Sequence, residues 1–104
     1  MPLPGNSQSR RTLQEAQTTL SAAEVISAAK QFFARQNSIY TAFVEKEGPN
    51  YVTMRGQGGE EVVVGTAPAE NGTRVSASTY LFDQQVARFL SGLPTAADVP
   101  VGVS

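Results

Sequence analysis

The sequence predicts an α+β fold: an N-terminal helix, a four-stranded antiparallel meander, and a C-terminal helix packed on the sheet, with flexible tails at both ends. Three observations carry this expectation. Glu60 to Tyr80 contains two arms, EEVVVGT and TRVSASTY, both β-branched and alternating, on either side of a loop with Pro68, Asn71 and Gly72; this is the pattern of a β-hairpin. Before it, Ala22 to Gln36 carries Val25, Ile26, Phe32 and Phe33, with Ala22 and Ala29, at helical spacing. After it, Val86, Phe89, Leu90 and Leu93 make a second helical stripe. Two apolar stripes are thus available to cover one face of one sheet.

At 104 residues the chain makes one domain, burying about 65% of the surface that its unfolded form exposes. The expected division is a tail over residues 1–20, an α+β domain over 21–94 and a second tail over 95–104. Met1 to Ser9, MPLPGNSQS, has two prolines, a glycine and four small polar side chains, too little apolar surface to offset its ordering entropy. Thr12 to Thr19 has helix formers in Leu13, Gln14, Glu15 and Ala16 but few bulky groups, which predicts a short, marginal helix.

Ser21 followed by Glu24 has the spacing of a capping box, with Leu20 and Val25 placed as a hydrophobic staple, so the first main helix starts there. Asn37 is the expected left-handed cap at its end. From Ser38 to Lys46 the period becomes two, with Ile39, Thr41 and Phe43 alternating against Tyr40, Ala42 and Val44. The EGPN turn, Glu47 to Asn50, leads to a second strand over Tyr51 to Arg55.

GQGG, Gly56 to Gly59, is followed by a valine-rich strand and lacks the lysine and serine or threonine of a phosphate-binding loop; it reads as a hairpin turn. The third strand, Glu60 to Thr66, puts Val62 and Val64 on one face and Val63 on the other, and the fourth, Thr73 to Tyr80, puts Val75, Ala77 and Thr79 inward. Asp83 is the expected N-cap of the second helix, and Gly92 with Pro94 ends it. Beyond it, Val99, Val101 and Val103 alternate with Pro100 and Gly102, as in a free tail or an added edge strand.

GTRVSASTYLF running into an amphipathic helix that ends in FLSGLP, after a helix and a meander, resembles the helix-grip superfamily of START, polyketide-cyclase and lipid-transport domains over roughly residues 21–93. The resemblance implies a truncated version of that fold. Full members have more strands and a long C-terminal helix that enclose a cavity for an apolar ligand. In this chain, the resemblance would make Phe32, Phe33, Phe43 and Phe89 the lining for a lipid or another small hydrophobic molecule.

Composition excludes several function classes. Eight basic and nine acidic residues give a net charge of -1, which offers no field for a polyanion, so nucleic acid is not an expected partner. Without cysteine or histidine there is no thiolate or imidazole chemistry, and the carboxylates do not fall in the pattern of a calcium loop; no cofactor and no metal are expected. Asp83, Glu45, Glu60, Glu61 and Tyr80 are the groups able to do acid-base work, but no two are spaced to converge, and Glu60 and Glu61, adjacent on a strand, read as solvated edge residues on opposite faces.

The expected role is therefore non-enzymatic: a small interaction module or accessory subunit that binds a protein partner or a second copy. The contacts would come from Arg10, Arg11, Leu13, Val99, Val101 and Val103 in the tails. No apolar run is long enough to span a bilayer, and the start of the chain lacks the plan of a secretory signal. The expected location is cytoplasmic, with a periplasmic or extracellular site as the alternative for a mature chain.

Overall fold

Five antiparallel strands and two helices make a two-layer sandwich in a computed structural model that describes residues 11–36 and 38–95. In chain order the elements are β1 (Thr12–Thr18), α1 (Ala22–Ala34), a 3-10 turn (Ser38–Tyr40), β2 (Ala42–Gly48), β3 (Tyr51–Gly56), β4 (Glu61–Ala69), β5 (Gly72–Thr79) and α2 (Asp83–Ser91). The sheet is ordered β1-β5-β4-β3-β2. β2 to β5 form the expected meander, and β1 is added at its far side.

That fifth strand corrects the expectation of a short helix at Thr12 to Thr19. TLQEAQT pairs with β5 in unbroken register, from Thr12 opposite Thr79 to Thr18 opposite Thr73, and so Thr12 to Thr18 belongs to the sheet. The non-local ladder overrides a local helix preference that was weak from the start. The chain is pinned where β1 ends: Thr18 Oγ1 and Thr19 N donate to Pro94 O at 2.6 and 3.1 Å, and Thr73 Oγ1 donates to Leu20 O at 2.7 Å.

α1 begins as expected. Ser21 Oγ accepts from Glu24 N at 3.1 Å while Glu24 Oε1 accepts from Ser21 N at 2.8 Å, so two otherwise orphaned donors are satisfied. Its cap is Arg35, whose N–H donates to Phe32 O; Asn37 lies outside the described residues. The period-two segment starts later than expected, because Ser38–Tyr40 forms the 3-10 turn. β2 also bulges between Val44 and Lys46, leaving Glu45 unmatched. The β4–β5 hairpin is tighter than expected: Ala69 faces Gly72 across a turn at Glu70 and Asn71, and Asn71, at φ 70, tolerates the left-handed region.

Asp83 is not the cap of α2 but its first helical residue; the cap position is Phe82, without a side-chain capping bond. Asp83 instead accepts from Thr12 Oγ1, and its carbonyl accepts from Gln14 Nε2 at 3.1 Å, so the start of α2 is tied to β1. Leu81, just before it, sits at φ 74, a conformation that costs a bulky residue about 1–3 kcal/mol.

Both helices lie on the same face of the sheet. α1 packs against β2, β3 and β4, and α2 against β1 and β5. Val25, Ile26, Ala29 and Phe33 of α1 meet Val52, Met54, Val62, Val64, Val75 and Ala77 of the sheet, with Val86, Phe89 and Leu90 of α2 closing the core. The alternation read for β4 and β5 is the one observed, with Val62, Val64, Val75, Ala77 and Thr79 buried, and Val52 and Met54 of β3 are buried beside them. No described helix is long and apolar enough to cross a membrane.

Candidate functional site

With both helices on one side, no described element covers the other face of the sheet. Cross-strand register defines its rows. One runs Leu13, Ser78, Val63, Thr53, Lys46, and the next runs Glu15, Ser76, Gly65, Tyr51, Gly48. The middle positions are small, so the centre is flat, with Leu13 at one margin and Tyr51 near the other. A flat surface of mixed polarity suits a macromolecular partner better than a small ligand, which needs concavity.

One end of this face is held by charge. Arg55 makes a bidentate pair with Glu45, Nε to Oε2 at 3.0 Å and Nη2 to Oε1 at 2.9 Å, and its Nη1 donates to Gly59 O at 2.9 Å. Its Nη2 also reaches Glu61 Oε2 at 3.4 Å. The other oxygen of Glu61 accepts from Arg11, which donates in addition to Ser78 Oγ at 2.9 Å and lies 4.7 Å from the centroid of the Tyr80 ring. Cation–π and charge-assisted contacts thus fix Arg11 from three sides. The hydrogen bonds from Arg55 hold the Glu45 carboxyl below its ordinary value, and Glu45 raises Arg55 in return. Both side chains are exposed, with 42% and 47% of their surface open to solvent, so the pair organises the surface rather than adding much stability.

Glu61 is therefore not the solvated edge residue that its sequence position suggested; it bridges two arginines on a central strand. Glu60 lies next to the Gly56–Gly59 turn, where its Oε1 accepts from Gly58 N at 3.0 Å. Tyr80 stacks under Arg11, and Asp83 is engaged at the start of α2. The five acid-base candidates are thus distributed over an ionic chain, a turn and a helix terminus. Among the described residues no three acidic side chains gather as a metal site would require.

Of the expected partner contacts, Arg11 and Leu13 sit at the margin of the open face, Leu13 with 64% of its surface exposed. Arg10, Val99, Val101 and Val103 lie outside the described residues. The aromatic group separates. Phe32, Phe33 and Phe89 pack together, with centroids 5.0, 5.6 and 5.9 Å apart, in the edge-on and tilted arrangements that aromatic rings favour. Phe43 is exposed on β2, opposite Arg55 on the outer face. Sequence reasoning missed Glu45, Arg55 and Glu61 as one network because its members come from three strands. It also missed Val63, Tyr51 and Thr53 as a shared surface; the lone outward Val63 amid inward valines was the available signal.

No family model, curated protein or solved structure matches the chain.

Proposed function

We propose that the protein is a small non-enzymatic interaction module, an accessory subunit that presents the uncovered face of its sheet to a protein partner. The observation that supports this reading is the one-sided packing: α1 and α2 share one face, leaving the rows through Val63 and Tyr51 without a covering element among the described residues. The Glu45–Arg55–Glu61–Arg11 chain gives that face a fixed polar end, where alternating charges would set the orientation of the partner. Ligand binding of the helix-grip kind would need space between helices and sheet that Phe32, Phe33 and Phe89 fill with one another.

The test is affinity capture by the wild-type chain and by Val63→Arg, which alters the middle of the open face without entering the helix-side core. A partner retained in stoichiometric amount by the wild type and lost by a folded Val63→Arg variant is expected. Equal retention by both chains would move the contact off this face.

A further inference from the structure

α2 starts without a side-chain cap. Phe82 holds the cap position with no capping bond, and the first ladder bond runs from Val86 N to Phe82 O at 2.9 Å. The N–H groups of Asp83, Gln84 and Gln85 therefore find no acceptor among the described residues.

Gln85 adds an independent observation. It is only 6% exposed, yet its carboxamide, with two donors and two acceptor lone pairs, makes no hydrogen bond to a described residue. Among the described residues no fully enclosed side-chain nitrogen or oxygen lacks a partner, so this amide must open to the outside. The opening that Gln85 lines is a groove of about 290 Å³ shared with Tyr40, Leu81, Asp83 and Gln84. Gln85 lies one turn before Phe89, on the side of α2 that meets Phe32 and Phe33, which directs it towards Tyr40. The Tyr40 ring is held 5.7 Å from that of Phe82, and its hydroxyl also makes no hydrogen bond to a described residue.

The polar groups of this wall decide what fits. Three N–H groups and Gln85 Nε2 ask for an acceptor. Gln85 Oε1, Tyr40 Oη and the second oxygen of the Asp83 carboxylate, whose first accepts from Thr12 Oγ1, ask for a donor. The start of a helix carries about +0.5 of an elementary charge, Asp83 a full negative one, and no lysine or arginine stands in the wall, so an anion is repelled. A cation offers nothing to the N–H groups. A neutral carboxamide carries an acceptor and a donor side by side and satisfies both sets. Leu81, 67% exposed, and the Tyr40 ring provide apolar contact for its carbon part.

We propose that this groove binds a small molecule bearing a neutral carboxamide, with its oxygen received by the N–H groups at the start of α2 and its nitrogen donating to Gln85 and Asp83. The site lies where the 3-10 turn meets α2, away from the open face of the sheet, and so goes beyond the interaction-module reading without resting on it.

Propanamide, propanoate and propylamine are close in shape and differ in charge, which makes them the probes. In proton–nitrogen correlation spectra of the full chain, propanamide is expected to shift the backbone amides of Asp83, Gln84 and Gln85 and the side-chain amide of Gln85 saturably. Its dissociation constant is expected to lie at least about tenfold below those of the other two probes. Gln85→Met, similar in size but without the amide, is expected to weaken propanamide binding about tenfold or more, and Tyr40→Phe, which removes one hydroxyl, about threefold.

Tighter binding of propanoate reduces the groove to a plain anion site at a helix terminus and overturns the proposal. Tighter binding of propylamine assigns it to the Asp83 carboxylate alone and overturns it too, as do shifts that fail to saturate or that map elsewhere. Unchanged binding by a folded Gln85→Met removes the amide from the site; should that variant not fold, the three probes on the wild type and on Tyr40→Phe decide. Val63→Arg is expected to leave propanamide binding unchanged, so loss of this site and loss of partner capture are scored independently.

Discussion

Among the described glycines, Gly72 should be the one where a single added methyl does most damage. Gly72 adopts φ 154, and a Cβ built there would lie 2.1 Å from Thr18 O and 3.0 Å from both Thr18 C and Thr19 Cα. All three atoms are backbone, so no side chain can swing away. Relief must come from moving β1 off β5 at the point where Thr18 faces Thr73 and where Thr73 Oγ1 holds Leu20 O. A strained backbone position costs about 1–3 kcal/mol and overpacking of a close contact about another 1–3 kcal/mol, which gives about 2–6 kcal/mol together.

Gly59 supplies the internal control. It also has positive φ, at 92, but an added Cβ meets nothing within 4 Å, so Gly59→Ala carries the conformational cost alone, about 1 kcal/mol. Urea titrations of the wild type and both variants, followed by circular dichroism, measure the two losses on one scale. The difference isolates the collision with β1. If Gly72→Ala costs no more than Gly59→Ala, then β1 does not lie against the turn of the β4–β5 hairpin, and the five-strand order is wrong.

Other substitutions address separate elements. Phe89→Ala removes a ring packed against Phe32 and Phe33 and should cost about 3–5 kcal/mol in urea; a loss under about 1 kcal/mol would show that α2 presents another face to the sheet. Ser21→Ala deletes one half of a complete capping box and should cost about 1 kcal/mol, and an unchanged midpoint would mean that α1 starts elsewhere. Leu81→Gly frees an exposed residue from φ 74 and should raise stability by up to about 1 kcal/mol; a lower melting temperature would show that the leucine side chain contributes more than its backbone costs. Because Glu45 is held below its ordinary value, its contribution is present above the unfolded glutamate pKa and is lost as pH falls through the folded one. Urea midpoints between about pH 6 and pH 3 should fall less steeply for Glu45→Gln than for the wild type, and parallel slopes would remove Glu45 from the ionic chain.

The parts of the fold that were legible in sequence are those where burial imposes a period. Val62, Val64, Val75 and Ala77 alternate because one face of the sheet is core, and the α1 and α2 stripes recur because each helix buries one side. β1 escaped because its two faces differ little: Leu13, Glu15 and Gln17 point out, and Thr12, Gln14 and Ala16 are only half buried at the rim of the sheet. Its strand character comes from a partner about sixty residues away, β5, which no local window contains. The same distance hid the ionic chain. Arg11 read as a cation in a tail and Glu61 as a solvated edge residue, and only the placement of β1 beside β5 brings them into contact. Asp83 had the right chemistry for a cap, but the reversal at Leu81 starts α2 one residue earlier than an Asp cap requires and turns Asp83 towards Thr12 instead.

Hydroxyl-radical footprinting of the free chain and of its complex with the captured partner tests the central claim most directly, because it reads side-chain accessibility and so separates the two faces of the sheet. Tyr51 and Leu13 lie on the open face, whereas Ile39 and Leu81 are exposed on the segments that lead into β2 and α2. Binding through the open face predicts that oxidation of Tyr51 falls several-fold in the complex while Ile39 and Leu81 react as before. Protection of Ile39 and Leu81 with Tyr51 unchanged would place the partner at the helix junctions and contradict the account.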